Sequence, residues 1–198
     1  MLKDKELQSL IDHYSTFLGG IEEMEFTPSK NMPLKPKLVL SKANKYRPYN
    51  VVATVGMSEV KLNGTYSNCE LMVLLDEKWK FNNNPAYQWP FELLNKIANA
   101  VCLSESEFGY GQYFINDGDK PFGPLTDMGV ALIAVPAMFD RHFFELKSGK
   151  KTTNFFILTM ATFEELKLIK RMGGITFIQR YLLPEGEDAF IIHNNKLG

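Results

Sequence analysis

The sequence predicts an α+β fold: a single compact domain with a central, mainly antiparallel sheet flanked by helices. Apolar runs of strand length and amphipathic runs of helix length follow one another as helix, strands, helix, strands, helices, where a doubly wound fold would alternate them one for one. Of the 198 residues, 45% are apolar and 23% charged, the balance of an ordinary globular protein. A chain of this size buries about 70% of the surface its unfolded form exposes, so one core suffices without metals or disulfides.

Leu7, Leu10, Ile11, Tyr14, Phe17 and Leu18 recur at three- and four-residue spacing, and Gly19-Gly20 stops the helix they define. Pro28, Pro33 and Pro36 then forbid regular helix and interrupt pairing until a strand over 37–41. Residues 49–57 and 69–75 are Val- and Leu-rich runs separated by a stretch containing Asn63-Gly64, which predicts two strands of one long hairpin. After the loop Asn82-Asn83-Asn84-Pro85, Trp89-Pro90 opens a second helix with Phe91, Leu94, Ile97, Ala98 and Val101 on one face, ending near Ser104. Glycine, asparagine, aspartate and proline crowd residues 109–124, which is loop chemistry around a short strand over 112–115. Residues 129–136 and 154–159 predict two buried strands, with a charged stretch over 140–151 between them. Thr162, with Glu165 three residues on, makes a capping box for a helix that runs to Met172 and stops at Gly173-Gly174. Ile175, Ile178, Leu182 and Leu183 fit one further helix before Pro184, and 189–193 adds a strand or an exposed tail.

Charge excludes some functions. With 22 basic against 23 acidic residues and a net charge of -1, the chain has no bulk positive field for a phosphate backbone, so direct nucleic-acid binding is not expected. No apolar run reaches the roughly 18 residues of a membrane span, and the start, from Met1 to Glu6, is charged with no apolar leader. The expected address is the cytoplasm, with no membrane partner. Cys69 and Cys102 each sit in an apolar run and read as buried free thiols in preference to a disulfide. His13, His142 and His193 share no metal-ligand spacing, and neither a metal nor another cofactor is expected.

Gly56-Met57-Ser58-Glu59-Val60 begins like the nucleophile elbow of hydrolases, but Val60 stands where the second glycine belongs, and a turn at a strand end explains it better. Gly109-Tyr110-Gly111 lacks the third glycine of a dinucleotide loop, since Phe114 takes that place. Glu70 is a lone charge in an apolar strand, on the face of Met72 and Leu74. It needs a cationic or hydrogen-bond partner, and a structural ion pair is the favoured reading.

Arg47-Pro48-Tyr49, Thr54-Val55-Gly56-Met57-Ser58, Glu70-Leu71-Met72, Trp79, and Trp89-Pro90 with Leu93-Leu94 resemble the Suppressor of fused domain family in order and approximate spacing. The likeness extends through 109–113 and from Thr159 past Glu164-Glu165-Leu166 to Gly173. Its specific part is the block 54–58 followed by Glu70-Leu71-Met72. Two departures stand out. Members often carry a proline or small residue and a methionine after the serine-acid turn, where this chain has Val60-Lys61; many carry Gly-His where it has Gly111-Gln112, so no role of that histidine carries over.

The resemblance implies a binding domain without known catalysis, in which Gly56, Ser58, Glu70, Trp79 and Trp89 form a structural motif. In animals such a domain sequesters a transcription factor. Compact bacterial versions, including antitoxins beside toxins with an LXG-type leader, look like immunity proteins that bind and neutralise a toxin. At 198 residues this chain is closer to the bacterial type. The expected organisation is one domain over 1–198: an N-terminal helix and Pro-rich connector over 1–45, the family core over 46–183 and a tail over 184–198.

No catalytic residues are expected. The expected partner is a cognate protein toxin, with nucleases among the candidates. Glu105, Glu107, Asp117, Asp119 and Asp127 face only Lys120 and stand beside Phe108, Tyr110, Tyr113 and Phe122. Such a loop suits the basic groove of a nuclease, with aromatics as anchors; the alternative is a solvated loop with accidental charge. Two other functional readings stay open: a regulator or scaffold that sequesters an intracellular protein, and a small-substrate hydrolase built on Ser58 and His142.

Overall fold

The structure is a computed structural model that describes residues 4–27, 32–104, 106–124 and 126–193. Helix α1 (Asp4–Leu18) precedes strands β1 (Glu22–Met24), β2 (Lys37–Ser41), β3 (Tyr49–Val55) and β4 (Cys69–Asp76). Helix α2 (Pro85–Leu103) leads to β5 (Tyr113–Ile115), β6 (Met128–Ala134), β7 (Glu145–Ser148) and β8 (Lys151–Thr162). Helices α3 (Phe163–Met172) and α4 (Gly174–Phe177) and strand β9 (Ile191–Ile192) follow. All the strands join one sheet in the order β1-β2-β3-β4-β8-β6-β5, with β7 paired to β8 and β9 to β4. Strand β4 runs parallel to β8 and β9, and the remaining pairings are antiparallel.

Alternate residues of a strand face opposite ways, yet the middle of β4 is apolar throughout, because helices cover both faces of the sheet. Leu71, Val73 and Leu75 pack with Phe91, Leu94 and Ile97 of α2. Met72 and Leu74 belong to the opposite layer, with Leu10 and Tyr14 of α1 and Leu166 and Ile169 of α3. Arg47 ties the edge of this second layer together. Its buried guanidinium donates to the carbonyls of Leu18, Ser41, Lys42 and Tyr49 and to the Ser41 hydroxyl, joining the C-terminus of α1 to β2 and β3.

Several boundaries differ from the sequence expectation. Helix α2 begins four residues before Trp89: the Asn84 side chain accepts from the Ala86 amide and Pro85 takes the first helical position, so Pro90 lies inside the helix. The charged stretch before Lys151 contains strand β7, in which Glu145 and Lys147 face solvent, and it turns back into β8 through Gly149 at φ 62°. Strand β8 therefore starts at Lys151 and runs to the capping residue Thr162. At the C-terminal end, α4 continues into a π-helical turn, Ile178–Leu182, and β9 enters the sheet with Phe190 and Ile192 buried.

Two glycines lock the helical corner to the sheet. Gly111, at φ 82°, is the extra residue of a bulge: its amide and the Gln112 carbonyl both bond Ile133. A Cβ on Gly174 would sit 2.0 Å from the Gly111 carbonyl oxygen, and one on Gly111 would sit 2.4 Å from Ile175 Cγ1. Gly174→Ala is therefore expected to cost about 2 kcal/mol or more by displacing α4 from β5, measured as a lowered urea midpoint at unchanged m-value.

His13 docks α1 on β8. Its ring stacks on Phe143 and Phe155, and Nε2 lies 3.0 Å from the Phe143 carbonyl oxygen. Burial holds the imidazole below its ordinary 6.5, only partly offset by that hydrogen bond. The unfolded chain thus takes up a proton at higher pH than the folded one, so this stability is present above about pH 6.5 and is lost as pH falls through the folded value. Urea midpoints measured from about pH 7 down to about pH 5 should fall less steeply in His13→Gln than in the unmodified protein.

Candidate functional site

The turn after β3 is built around one carboxylate. Gly56 takes φ 109°, a conformation that favours glycine, and starts the short turn Met57–Glu59. This aims three successive amides into the sheet, where Glu70 Oε1 accepts from Gly56 N (3.0 Å) and Ser58 N (3.1 Å), and Oε2 from Met57 N (3.3 Å) and Thr54 Oγ1 (2.7 Å). Thr54 Oγ1 in turn accepts from Leu71 N, tying β3 to β4. Glu70 is 0% exposed, and no cation pairs with it among the described residues, so the expected ion pair is replaced by four neutral donors. Burial pushes the Glu70 carboxyl above its ordinary range, against the pull of the Thr54, Ser58 and Gly56 donors. Burial, and then the Glu70 charge, push the nearby Tyr14 phenol well up.

The other motif residues are buried. Trp79 donates from Nε1 to the Tyr87 carbonyl and stands edge-on to Trp89, whose ring stacks on Phe122 at 9°. The Ser58 hydroxyl is sealed from solvent beside the Glu70 carboxylate. His142 lies on an exposed turn lining a basin of about 600 Å³ with Arg141, Phe144, Glu145, Lys147 and Asn154, so the structure does not bring these two residues together. Cys69 donates to the Tyr66 carbonyl, and burial pushes its thiol up and that of Cys102 up to about 11. Neither thiol is poised as a nucleophile.

The acidic, aromatic loop divides. Glu105 lies outside the described residues. Phe108 is removed from the surface set: it is 3% exposed, edge-on to Phe156 in the core, because its amide is bound by the Asn63 carbonyl. Tyr110, Tyr113 and Phe122 are half-buried, while Glu107, Asp117, Asp119 and Asp127 are exposed. Asn116, which sequence reasoning did not single out, fixes the acidic turn by donating from Nδ2 to the Lys120 and Pro121 carbonyls. Gly118 and Asp119 there both adopt positive φ, and an Asn-Asp-Gly-Asp run is the signal that a pinned turn leaves in a sequence.

This turn continues from β5, whose only strand partner among the described residues is β6. The Gln112 carbonyl and the Asn116 amide bond across to β6, so by antiparallel alternation Tyr113 and Ile115 turn their backbone groups to the open edge. Ile115 is 39% exposed. By contrast, the outer edge at β1 is guarded by the pairs Glu22–Lys42 and Glu23–Lys37, and the short β7 by Glu145–Lys147.

The geometry therefore defines an α+β domain that presents an open strand edge beside an acidic turn. The family model described as Suppressor of fused protein (SUFU) matches residues 34–193, and the chain belongs to that family. No curated protein matches the chain. Among solved structures, a chain of the Sufu-Fu complex is similar at TM-score 0.66 and 15% identity, covering 97% of this chain and 91% of that one. A SUFU homologue from Neisseria gonorrhoeae FA 1090 is similar at TM-score 0.64 and 16% identity, covering 89% and 88%. Drosophila Suppressor of Fused gives TM-score 0.57 at 15% identity over 98% of this chain, which spans 50% of that longer chain. No helix among the described residues is long and apolar enough to cross a membrane.

Glu70→Gln puts an amide donor where four donors converge. It is expected to cost about 3 kcal/mol, a loss of the kind that follows breaking a buried polar network. Thr54→Val, which removes one donor and one acceptor, should cost less. Chemical denaturation of both variants checks the order.

Proposed function

We propose that the chain is a non-catalytic protein-binding domain acting as an immunity protein, which neutralises a cognate bacterial toxin by stoichiometric, noncovalent binding inside the cell. The observation that carries this reading is the open β5 edge beside the pinned acidic turn, a surface suited to a protein partner with basic character. Main-chain groups of Tyr113 and Ile115 would meet the partner, Tyr110, Tyr113 and Phe122 would supply half-buried apolar area, and Glu107, Asp117 and Asp119 would steer association. A nuclease, whose active groove must be basic to hold phosphates, is the toxin class such a surface fits. A second reading, a regulator or scaffold that sequesters another protein, draws support from the similarity to a chain solved in the Sufu-Fu complex. It uses the same surface and differs in the partner. Ser58 is sealed from solvent and does not line the basin of His142, which gives no support to a hydrolase.

Two experiments test the reading. Co-expression with the toxin encoded beside it should restore growth, and the purified chain should bind that toxin one to one; absence of binding to any neighbouring toxin would count against immunity. Reversing Glu107, Asp117 and Asp119 to lysine should slow association about tenfold at low salt, with a smaller effect at high salt, in surface plasmon resonance. Unchanged kinetics would remove the acidic turn from the mechanism.

A further inference from the structure

Helix α2 is not covered along its whole length. Pro85, Gln88, Glu92 and Lys96 recur at three- and four-residue spacing, which puts them on one face. That face walls a groove of about 500 Å³, and Asn116, Phe122 and Pro124 of the loop between β5 and β6 form the opposite wall. From Pro85 to Lys96 the helical wall runs roughly 17 Å at the rise of an α-helix.

Trp89 lies in this groove with Leu93, only 6% exposed and with Phe122 stacked on its ring. The loop comes this close because Gly123 has no side chain: a Cβ there would sit 2.3 Å from Trp89 Cδ1 and 2.9 Å from Nε1. A buried indole N–H ordinarily has an acceptor. Trp79 finds one in the Tyr87 carbonyl, whereas Trp89 Nε1 donates to no group among the described residues and is left for whatever enters the groove.

An entering segment must therefore offer a carbonyl to that donor and apolar surface to Phe122, Pro85 and Pro124. An extended proline-rich chain supplies both, since it has no internal hydrogen bonds, keeps its carbonyls free and carries apolar rings. At about 3.1 Å per residue, five or six of its residues match the helical wall. Within the groove Glu92 and Lys96 are of opposite sign, so the charge bias comes from the turn that Asn116 pins. There the exposed Asp117 and Asp119 outnumber Lys120 and favour basic residues on the partner.

We propose that the groove between α2 and the loop over 116–124 docks an extended, proline-rich segment of a protein partner, flanked by basic residues, with Trp89 Nε1 donating to one of its carbonyls. The inference rests on the reading of the chain as a protein-binding domain, and not on the partner being a toxin.

Isothermal titration calorimetry of the full chain tests it, with a synthetic peptide of six prolines carrying an arginine at each end. That peptide should bind about tenfold tighter than one with glycine and serine in place of the prolines, and at low salt about fivefold tighter than one with glutamate at each end. Trp89→Phe, which keeps an aromatic ring and removes the donor, should weaken binding of the arginine-flanked proline peptide about fivefold. Asp117→Asn combined with Asp119→Asn, a change confined to exposed side chains that folds even if Trp89→Phe does not, should erase the preference for arginine over glutamate flanks. The proposal is overturned if the glycine-serine peptide binds as tightly as the proline peptide, if folded Trp89→Phe binds unchanged, or if the double variant keeps the preference. Failure of the peptides leaves the growth-rescue test of immunity standing, so the two readings fail separately.

Discussion

A single carboxylate, sealed from water, sets the geometry on which the centre of the sheet depends. Glu70 meets four donors, three of them consecutive amides that a strand end can supply only by turning through a left-handed residue, which is why Gly56 stands there. Two effects oppose each other here: burial disfavours the charged carboxylate, and the converging donors favour it. The donors make the charged form tenable, and they do so only while β3, β4 and the turn hold their positions. The network behaves as one piece because Thr54 also accepts from Leu71 across the strand pair.

From this centre outward, rigidity reaches the surface that carries the proposed function. Strand β8 joins β4 to β6, β6 carries β5, and the Gly111 bulge is held under α4 by the absence of a side chain on Gly174. Beyond β5, Asn116 holds the acidic turn by two carbonyls, and Phe122 lies on Trp89. A charged loop that is fixed in this way loses little conformational entropy on binding, which separates it from a solvated loop of the same composition.

Much of the fold was legible in the sequence because its strongest signals are local. The three-four spacing in α1, the Val- and Leu-rich runs of β3 and β4 and the Thr162–Glu165 box each act within a few residues, and each forms where it stands in the sequence. What was not legible depends on contacts remote in sequence. Strand β7 reads as a charged loop until β8 is beside it, and nothing local distinguishes Phe108, a core residue, from Phe122, a half-exposed one. The Glu70 donors are of the same kind: a lone glutamate signals a partner, but an ion pair and a turn of amides leave the same trace in the sequence. The short strand β5 was legible inside its loop-rich stretch, whereas the hold of Asn116 on the turn beyond it was not.

The distribution of charge along the sheet edges carries the argument about binding further than the count of acidic residues does. A free strand edge invites pairing with other chains, and proteins blunt such edges with charge. Here β1 has Glu22 and Glu23 paired to Lys42 and Lys37, and β7 has Glu145 and Lys147, whereas β5 is Tyr113-Phe114-Ile115, with no charge at all. Its negative charge is instead set just past the strand, at Asp117 and Asp119, where it repels acidic partners and attracts basic ones without interrupting the edge. Under the proposed function, an open edge with like charges set beside it would favour a basic partner over a second copy of the chain, since each copy would bring the same negative charge to the contact.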